Sequence, residues 1–397
     1  MSRLDQDRLS RLDKHFASYV DDGRLPGWQL AVTHHDEVVH EASYGWRDRE
    51  AGLEVEADTI WRIASMTKPI TSVAAMTLWE EGAFELTDPI SRWIPAFEDV
   101  RVFVKGTAAA PFTVPATEPI RVWHLLSHTS GLTAGFLRTT PVDELYRAAG
   151  FDIGSVTGRN LEQDVDVLAG LPLLFEPGTR WGYGASTEVL GRLIEIWTGQ
   201  PLDVAIASRV TGPLDMTDTV WHADETRVDR LAALYAPDPA TGLAAKHPLG
   251  AAALVPPTAH SGGGGLLSTT ADYVRFTRML TRGGELDGTR VLAPRTLRLM
   301  GANHLGADLG AMSTGGFAET TFDGVGFGLG FAVLLDPVQL RNSSSTGELF
   351  WGGAASTAFW VDPVEQISVV WMTQLLPSST YPIRSQLRQL VYSALVD

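Results

Sequence analysis

A chain of 397 residues with a formal net charge of −16 and no cysteine leaves out several classes of function at once. Phosphate binding needs clustered Lys and Arg, so the acidic balance argues against a nucleic-acid surface, and the lack of cysteine excludes disulfides, thiol catalysis and thiolate metal sites. With 44% hydrophobic and 20% charged residues, the composition is that of a globular enzyme long enough for two structural domains of roughly 100–200 residues each.

The first 23 residues alternate charge with Leu, Phe and Val at helical spacing. They contain no apolar run and no small-residue cleavage site, so they read as an amphipathic helix rather than a signal peptide. No stretch approaches the ~18 apolar residues of a membrane span, and a soluble, cytoplasmic protein with no membrane partner is the expectation. Residues 29–33 and 38–44 read as strands joined by the polar turn His34-His35-Asp36-Glu37. From Ser65 the pattern becomes helical, with Ile70, Val73, Ala74, Thr77 and Leu78 at three- and four-residue steps and a stop near Gly82. Leu86-Thr87-Asp88-Pro89 turns into another short helix, and residues 101–119, rich in Pro, Ala and Thr, read as a surface loop. Residues 120–199 read as mostly helical, with breaks at Gly131, Pro141, Pro172 and Pro177-Gly178.

Beyond Gly262-Gly263-Gly264-Gly265 the spacing predicts a helix over 270–281. Residues 327–335, 358–361 and 366–372 are strand-like, the last two joined by the hairpin connection Asp362-Pro363-Val364-Glu365. A final amphipathic helix carries Ile383, Leu387, Leu390, Val391, Ala394 and Leu395 on one face. Strands and a helix at both ends, with helices between, predict an α/β domain built from residues 1–64 and 262–397. A mainly helical domain, 65–261, is inserted into it.

Ser65-Met66-Thr67-Lys68 places a serine and a lysine one helical turn apart on the same face. A helix N-terminus supplies free backbone N–H groups and partial positive charge beside Ser65. A buried lysine next to positive potential can be neutral near pH 7 and accept the serine proton; the alternative is a lysine that extends to solvent. Lysine is otherwise scarce, at Lys14, Lys105 and Lys246. Trp181-Gly182-Tyr183-Gly184 follows the Pro177-Gly178 turn and precedes a helix capped by Ser186, with Glu188 near its start. Tyr183 reads either as a proton shuttle in a cleft or as an aromatic packed on a domain seam. In Phe350-Trp351-Gly352-Gly353-Ala354 the paired glycines mark a close approach of a backbone or ligand, or a β-bulge. A bare strand edge there can offer a backbone N–H to an oxyanion.

His128-Thr129-Ser130-Gly131 reads as a helix C-terminus with a capping glycine. The histidines, His34-His35 included, show no metal-ligand spacing, so neither a metal nor another cofactor is expected. The four-glycine run lacks the G-K-[ST] of a phosphate loop and reads as a loop bordering a site, and no G-x-S-x-G elbow occurs.

Taken together these segments resemble the serine β-lactamase and penicillin-binding family, in particular its class C-like esterase branch, the family VIII carboxylesterases. The resemblance covers nearly the whole chain: residues 61–68, 124–132 (His-Leu-Leu-Ser-His-Thr-Ser-Gly-Leu), Phe175-Glu176-Pro177-Gly178 leading into Trp181-Gly182-Tyr183, Gly263-Gly264-Gly265-Leu266, residues 326–331 and Trp351-Gly352-Gly353. It implies an α+β, β-lactamase-like fold, an antiparallel sheet flanked by helices plus a helical domain, with the cleft between them. It implies that Ser65 is acylated while Lys68 and Tyr183 share the base and acid roles. It assigns the oxyanion hole to the backbone N–H groups of Ser65 and Ala354, and substrate binding to Trp351, Gly352 and Gly353.

Two departures bear on substrate. The tyrosine motif of class C β-lactamases is Y-x-N, and here its third position is Ala185. Where those enzymes carry Lys-[Ser/Thr]-Gly on the strand edging the cleft, this chain has Trp351-Gly352-Gly353, and no lysine follows Lys246. The expected substrate is therefore a neutral, small-molecule ester with a short acyl chain, cleaved without any cofactor. A β-lactamase or D-amino-acid peptidase, with Arg341 as the nearest upstream cation, an acyltransferase and a non-catalytic binding protein are the alternatives.

Overall fold

Ile367–Thr373 has β-branched or large apolar side chains at most positions, a composition suited to a strand covered on both faces. In the computed structural model, which describes residues 3–153, 157–313 and 322–396, every residue of that strand is buried. It lies inside an eight-stranded sheet, in the order Val325–Phe327, Ala332–Leu334, Leu349–Gly352, Ala358–Asp362, Ile367–Thr373, Gly27–His34, Glu37–Asp48, Leu53–Glu54. All neighbours are antiparallel. N-terminal strands thus continue a sheet begun by C-terminal ones.

Strand periodicity sorts the side chains into two cores. Ile367, Val369 and Trp371 join Ala358 and Trp360 beneath the terminal helices Gln6–Asp21 and Ile383–Ser393, which contribute Leu9, Leu12, Phe16, Leu387 and Val391. Val370 and Met372, with Phe359 and Val361, face a larger core that includes the helices Thr67–Glu80, Ser186–Thr198 and Thr270–Thr281. The helix Thr67–Glu80 is buried over most of its circumference, Thr67 through Leu78, so it runs through the protein interior. This positions the serine ahead of it at the junction of sheet and helices.

The predicted helix over 270–281, the turn at His34–Glu37 and the strands 358–361 and 366–372 agree with the observed elements to within a residue or two. Two readings are corrected. Residues 101–119 contain an antiparallel hairpin, Arg101–Thr107 with Ala110–Pro115. Val102, Val104, Thr113 and Val114 are β-branched residues dispersed among the prolines and alanines that suggested a loop. Residues 327–335 are two strands rather than one, Val325–Phe327 and Ala332–Leu334, folded back at Gly330, whose φ of +98° is the left-handed geometry glycine tolerates.

Trp371 stacks on Trp28 with ring centroids 5.2 Å apart and meets Phe16 at 4.5 Å, all three fully buried. Truncating it leaves a cavity that the rigid sheet cannot close. Trp371→Ala is expected to lower the unfolding free energy by about 3–5 kcal/mol, read as a lower urea midpoint at unchanged m value.

Candidate active site

The segment before the serine is pinned by its backbone. Ile60–Arg62 pairs antiparallel with Leu267–Thr269, and Ile63 N–H donates to the Leu266 carbonyl at 3.1 Å. Ala64 then takes a left-handed φ of +45°, an unusual conformation for a residue with a Cβ. Ser65 lies in the 3-10 turn Ala64–Met66, immediately ahead of the helix Thr67–Glu80, and is partly exposed. The buried Tyr273 hydroxyl holds the turn from below by donating to the Met66 carbonyl at 2.9 Å.

Lys68 does not extend to solvent. It is buried, with Nζ donating to the Gly263 carbonyl at 2.6 Å and lying 3.5 Å from Ser65 Oγ. The Tyr183 hydroxyl sits 2.7 Å from the same oxygen, and Lys68 Nζ lies 4.6 Å from the centre of the tyrosine ring. Serine, lysine and tyrosine therefore converge, and the four-glycine run borders them as expected.

Tyr183 is placed by close backbone contact. A Cβ on Gly184 would fall 2.5 Å from the Leu132 carbonyl oxygen, so only glycine lets the two segments meet. On either side, Gly182 N–H donates to the His128 carbonyl at 2.9 Å and Ala185 N–H to the Thr133 carbonyl at 3.1 Å. Ser186 is not a cap: Ala185 precedes the helix Ser186–Thr198, and the Ser186 hydroxyl pairs with that of Ser130 at 2.8 Å, in the interior.

The 128–131 turn also differs from its reading. Helix Val122–Leu126 ends before it, and the first left-handed residue is His128, at φ +56°, rather than Gly131. His128 is buried with its ring 5.1 Å from that of Tyr183. Burial, and then the charge of Lys68, hold its imidazole well below the usual value, which keeps it neutral. His124, buried beside Arg121, is lowered to about 4, by burial first and then by the charge of that arginine.

At the strand edge, Trp351 points to the cleft side, its ring 5.6 Å from Tyr183 and edge-on to Phe327 at 5.3 Å. Gly353 marks a close backbone approach, not a bulge. The register of Leu349–Gly352 is unbroken, and a Cβ on Gly353 would fall 2.4 Å from the Ile63 carbonyl oxygen. The Thr357 hydroxyl donates to that same carbonyl at 3.3 Å. The turn containing Ala354, which is partly exposed, is thus fastened to the segment that leads into Ser65.

Two charged residues that the sequence pattern did not assign to the site lie here. Arg384, on the terminal helix, packs against the bare face of Gly352 and donates through Nη2 to the carbonyls of Gly353 and Thr357 at 3.1 and 3.2 Å. Successive strand residues point to opposite faces, so it stands behind the strand from Trp351. Glu188, on the first turn after Tyr183, accepts from the Ser261 hydroxyl at 2.7 Å. Arg341 is exposed at the end of the helix Pro337–Leu340. Among the described residues, no group of three or more His, Asp or Glu side chains is arranged to hold a metal ion, and no helix is long and apolar enough to cross a membrane.

The chain belongs to the Beta-lactamase family, whose model matches residues 12–393, and it has the mixed α and β fold of that family. It is 37% identical over 364 residues to Protein Rv1367c of Mycobacterium tuberculosis, covering 90% of this chain and 88% of that one. It is 31% identical over 403 residues to Esterase EstB of Burkholderia gladioli, covering 97% and 95%. Among solved structures, it superposes on EstCE1, described as a hydrolase with promiscuous acyltransferase activity, with a TM-score of 0.82 and 28% identity over 97% of this chain and 99% of that one.

The buried histidines make acid stability a test of this geometry. A histidine whose folded pKa lies below its unfolded value of 6.5 leaves the unfolded chain binding the proton first. Stability is intact above that pH and falls as pH drops below it. For wild type the unfolding free energy should decline between pH 7.5 and 5.5, and His128→Asn should remove about 1.4 kcal/mol of that decline, measured by urea titration at each pH.

Proposed function

We propose that this protein is a serine carboxylesterase, related to the family VIII enzymes, which cleaves neutral carboxylic esters through an acyl-enzyme on Ser65. The observation that carries the reading is the 2.7 Å contact between the Tyr183 hydroxyl and Ser65 Oγ, with Lys68 Nζ 3.5 Å from the same oxygen. A serine hydroxyl is a weak nucleophile until an adjacent group takes its proton. Tyr183 and Lys68 do this together. In the reactive state the pair shares one proton, held on Lys68 as the ammonium, which leaves Tyr183 as a phenolate whose oxygen, the nearer to Oγ, accepts the serine proton. As Oγ attacks the ester carbonyl, the oxyanion is received by the backbone N–H groups of Ser65 and Ala354. The shared contacts at the Ile63 carbonyl support this pairing by tying the two turns together. The alcohol leaves with the proton returned through Tyr183, and water repeats the cycle on the acyl-enzyme.

The substrate class follows from the strand edge. Trp351 against Tyr183 presents an apolar wall, Ala185 has no side-chain amide, and Arg384 lies behind the strand, already donating to two backbone carbonyls. A carboxylate-bearing β-lactam has less to hold it there than a neutral ester does. The similarity to Esterase EstB and EstCE1 favours the same choice, and the second activity in the description of EstCE1 supports acyl transfer as an alternative to hydrolysis.

Purified protein should hydrolyse p-nitrophenyl butyrate faster than the dodecanoate and turn over a chromogenic cephalosporin weakly or not at all. Ser65→Ala is expected to lower kcat/KM for the butyrate by about 10³-fold or more, and Lys68→Ala and Tyr183→Phe by about 10²–10⁴-fold. Equal rates for wild type and Ser65→Ala would refute the assignment, and rapid cephalosporin turnover with negligible ester cleavage would reverse the substrate order. An added primary alcohol that yields its butyrate ester would establish acyl transfer.

A further inference from the structure

On the proposed mechanism Lys68 and Tyr183 need a fixed geometry and a fixed charge balance, and for Lys68 both depend on what surrounds its amine. Lys68 Nζ docks on one backbone carbonyl, that of Gly263, at 2.6 Å. Gly263 belongs to a glycine run, backbone with little side-chain anchoring of its own, so something else must hold its carbonyl in place. The bare face of Gly263 shows what does. A Cβ built there would lie 2.6 Å from Glu188 Oε1 and 3.1 Å from Lys68 Nζ. Carboxylate and ammonium thus approach the same glycine from two helices.

Glu188 is the first-turn acid of the helix Ser186–Thr198, a place where acids are common because of the helix dipole. That alone would leave it facing water. It turns inward instead: it is partly buried, Oε1 accepts from the Ser261 hydroxyl at 2.7 Å, and the carboxylate also accepts from the backbone of Gly263. Ser261 Oγ and Gly263 flank Gly262, whose carbonyl accepts from the Thr71 hydroxyl at 2.8 Å, on the helix that carries Lys68. The loop is therefore stitched to both helices, with Glu188 as its charged anchor.

We infer that Glu188 is a positioning residue for Lys68: it fixes the loop whose Gly263 carbonyl receives Nζ, and its negative charge sets the proton affinity of the Lys68–Tyr183 pair. The inference rests on the proposed roles of Ser65, Lys68 and Tyr183. The charged and titratable groups around Glu188 are Lys68 on the helix Thr67–Glu80 and Asp164 on the helix Leu161–Ala169, and around Lys68 they are Tyr183 and the neutral His128. Burial pushes the Glu188 carboxyl above its ordinary range, while Ser261 and Lys68 pull it back toward ionisation. A carboxylate near the pair favours retention of the shared proton, and its removal releases that proton at lower pH.

The test uses the full chain and a fluorophosphonate probe, whose rate of attachment to Ser65 reports the nucleophile without assuming the natural ester. In Glu188→Gln the amide oxygen still accepts from Ser261, but the charge is gone. The acid limb of the labelling-rate profile should move down by about one pH unit, with the melting temperature little changed. Ser261→Ala keeps the charge and loosens the loop, so the limb should stay while the plateau rate falls severalfold. Coincident wild-type and Glu188→Gln profiles, or an unmoved plateau in Ser261→Ala, would overturn the inference while leaving the esterase reading intact. A wild type that the probe does not label at Ser65 would overturn both.

Discussion

The contact between Tyr183 and Ser65 joins two points 118 residues apart in the chain, and the rest of the cleft is arranged to keep it short. The serine is held by the strand pairing of Ile60–Arg62 with Leu267–Thr269 and by the left-handed turn at Ala64. The tyrosine is held by the segment 128–133, which meets its flanking backbone through hydrogen bonds and a glycine. A hydrogen bond is sensitive to tenths of an ångström, so each anchor matters only because the others are rigid. Preorganisation of this kind is what lets a weak nucleophile act without rearranging its surroundings at each turnover.

The electrostatics follow from burial. Lys68 places its amine in the interior, where a polar group without partners is costly. Its environment answers with a carbonyl at 2.6 Å, an aromatic face at 4.6 Å, and the carboxylate of Glu188 across Gly263. The adjacent His128 is kept neutral, so it adds no competing positive charge. Behind the opposite wall, Arg384 donates to the Gly353 carbonyl and so polarises the peptide group that also contains the Ala354 N–H.

Elements with strong local periodicity were legible in the sequence. The helix Thr270–Thr281 carries clear helical spacing and the strands Ala358–Asp362 and Ile367–Thr373 dense apolar runs, because the helix packs on one face of the strands and the strands are covered on both. The hairpin Arg101–Thr107 with Ala110–Pro115 was not: its exposed Val104 and Phe112 face no core, and prolines break the alternation. Of the site, Ser65 and Lys68 were marked by spacing, whereas Tyr183 stood out only through the family resemblance, since a tyrosine between glycines serves packing equally well. Glu188 had a signal, an acid five residues after Tyr183, but first-turn acids are ordinary. Arg384 had none, because its proximity to Gly352 exists only once the terminal helix lies over the sheet.

The proposed mechanism depends on covalent chemistry at one oxygen atom, Ser65 Oγ. Wild-type protein quenched in acid during turnover of p-nitrophenyl butyrate should carry an added mass of about 70 Da, one butyryl group, on the peptide containing Ser65. The adduct should be absent from Ser65→Ala. Ester turnover with the adduct on another residue, or in Ser65→Ala, would contradict the mechanism outright.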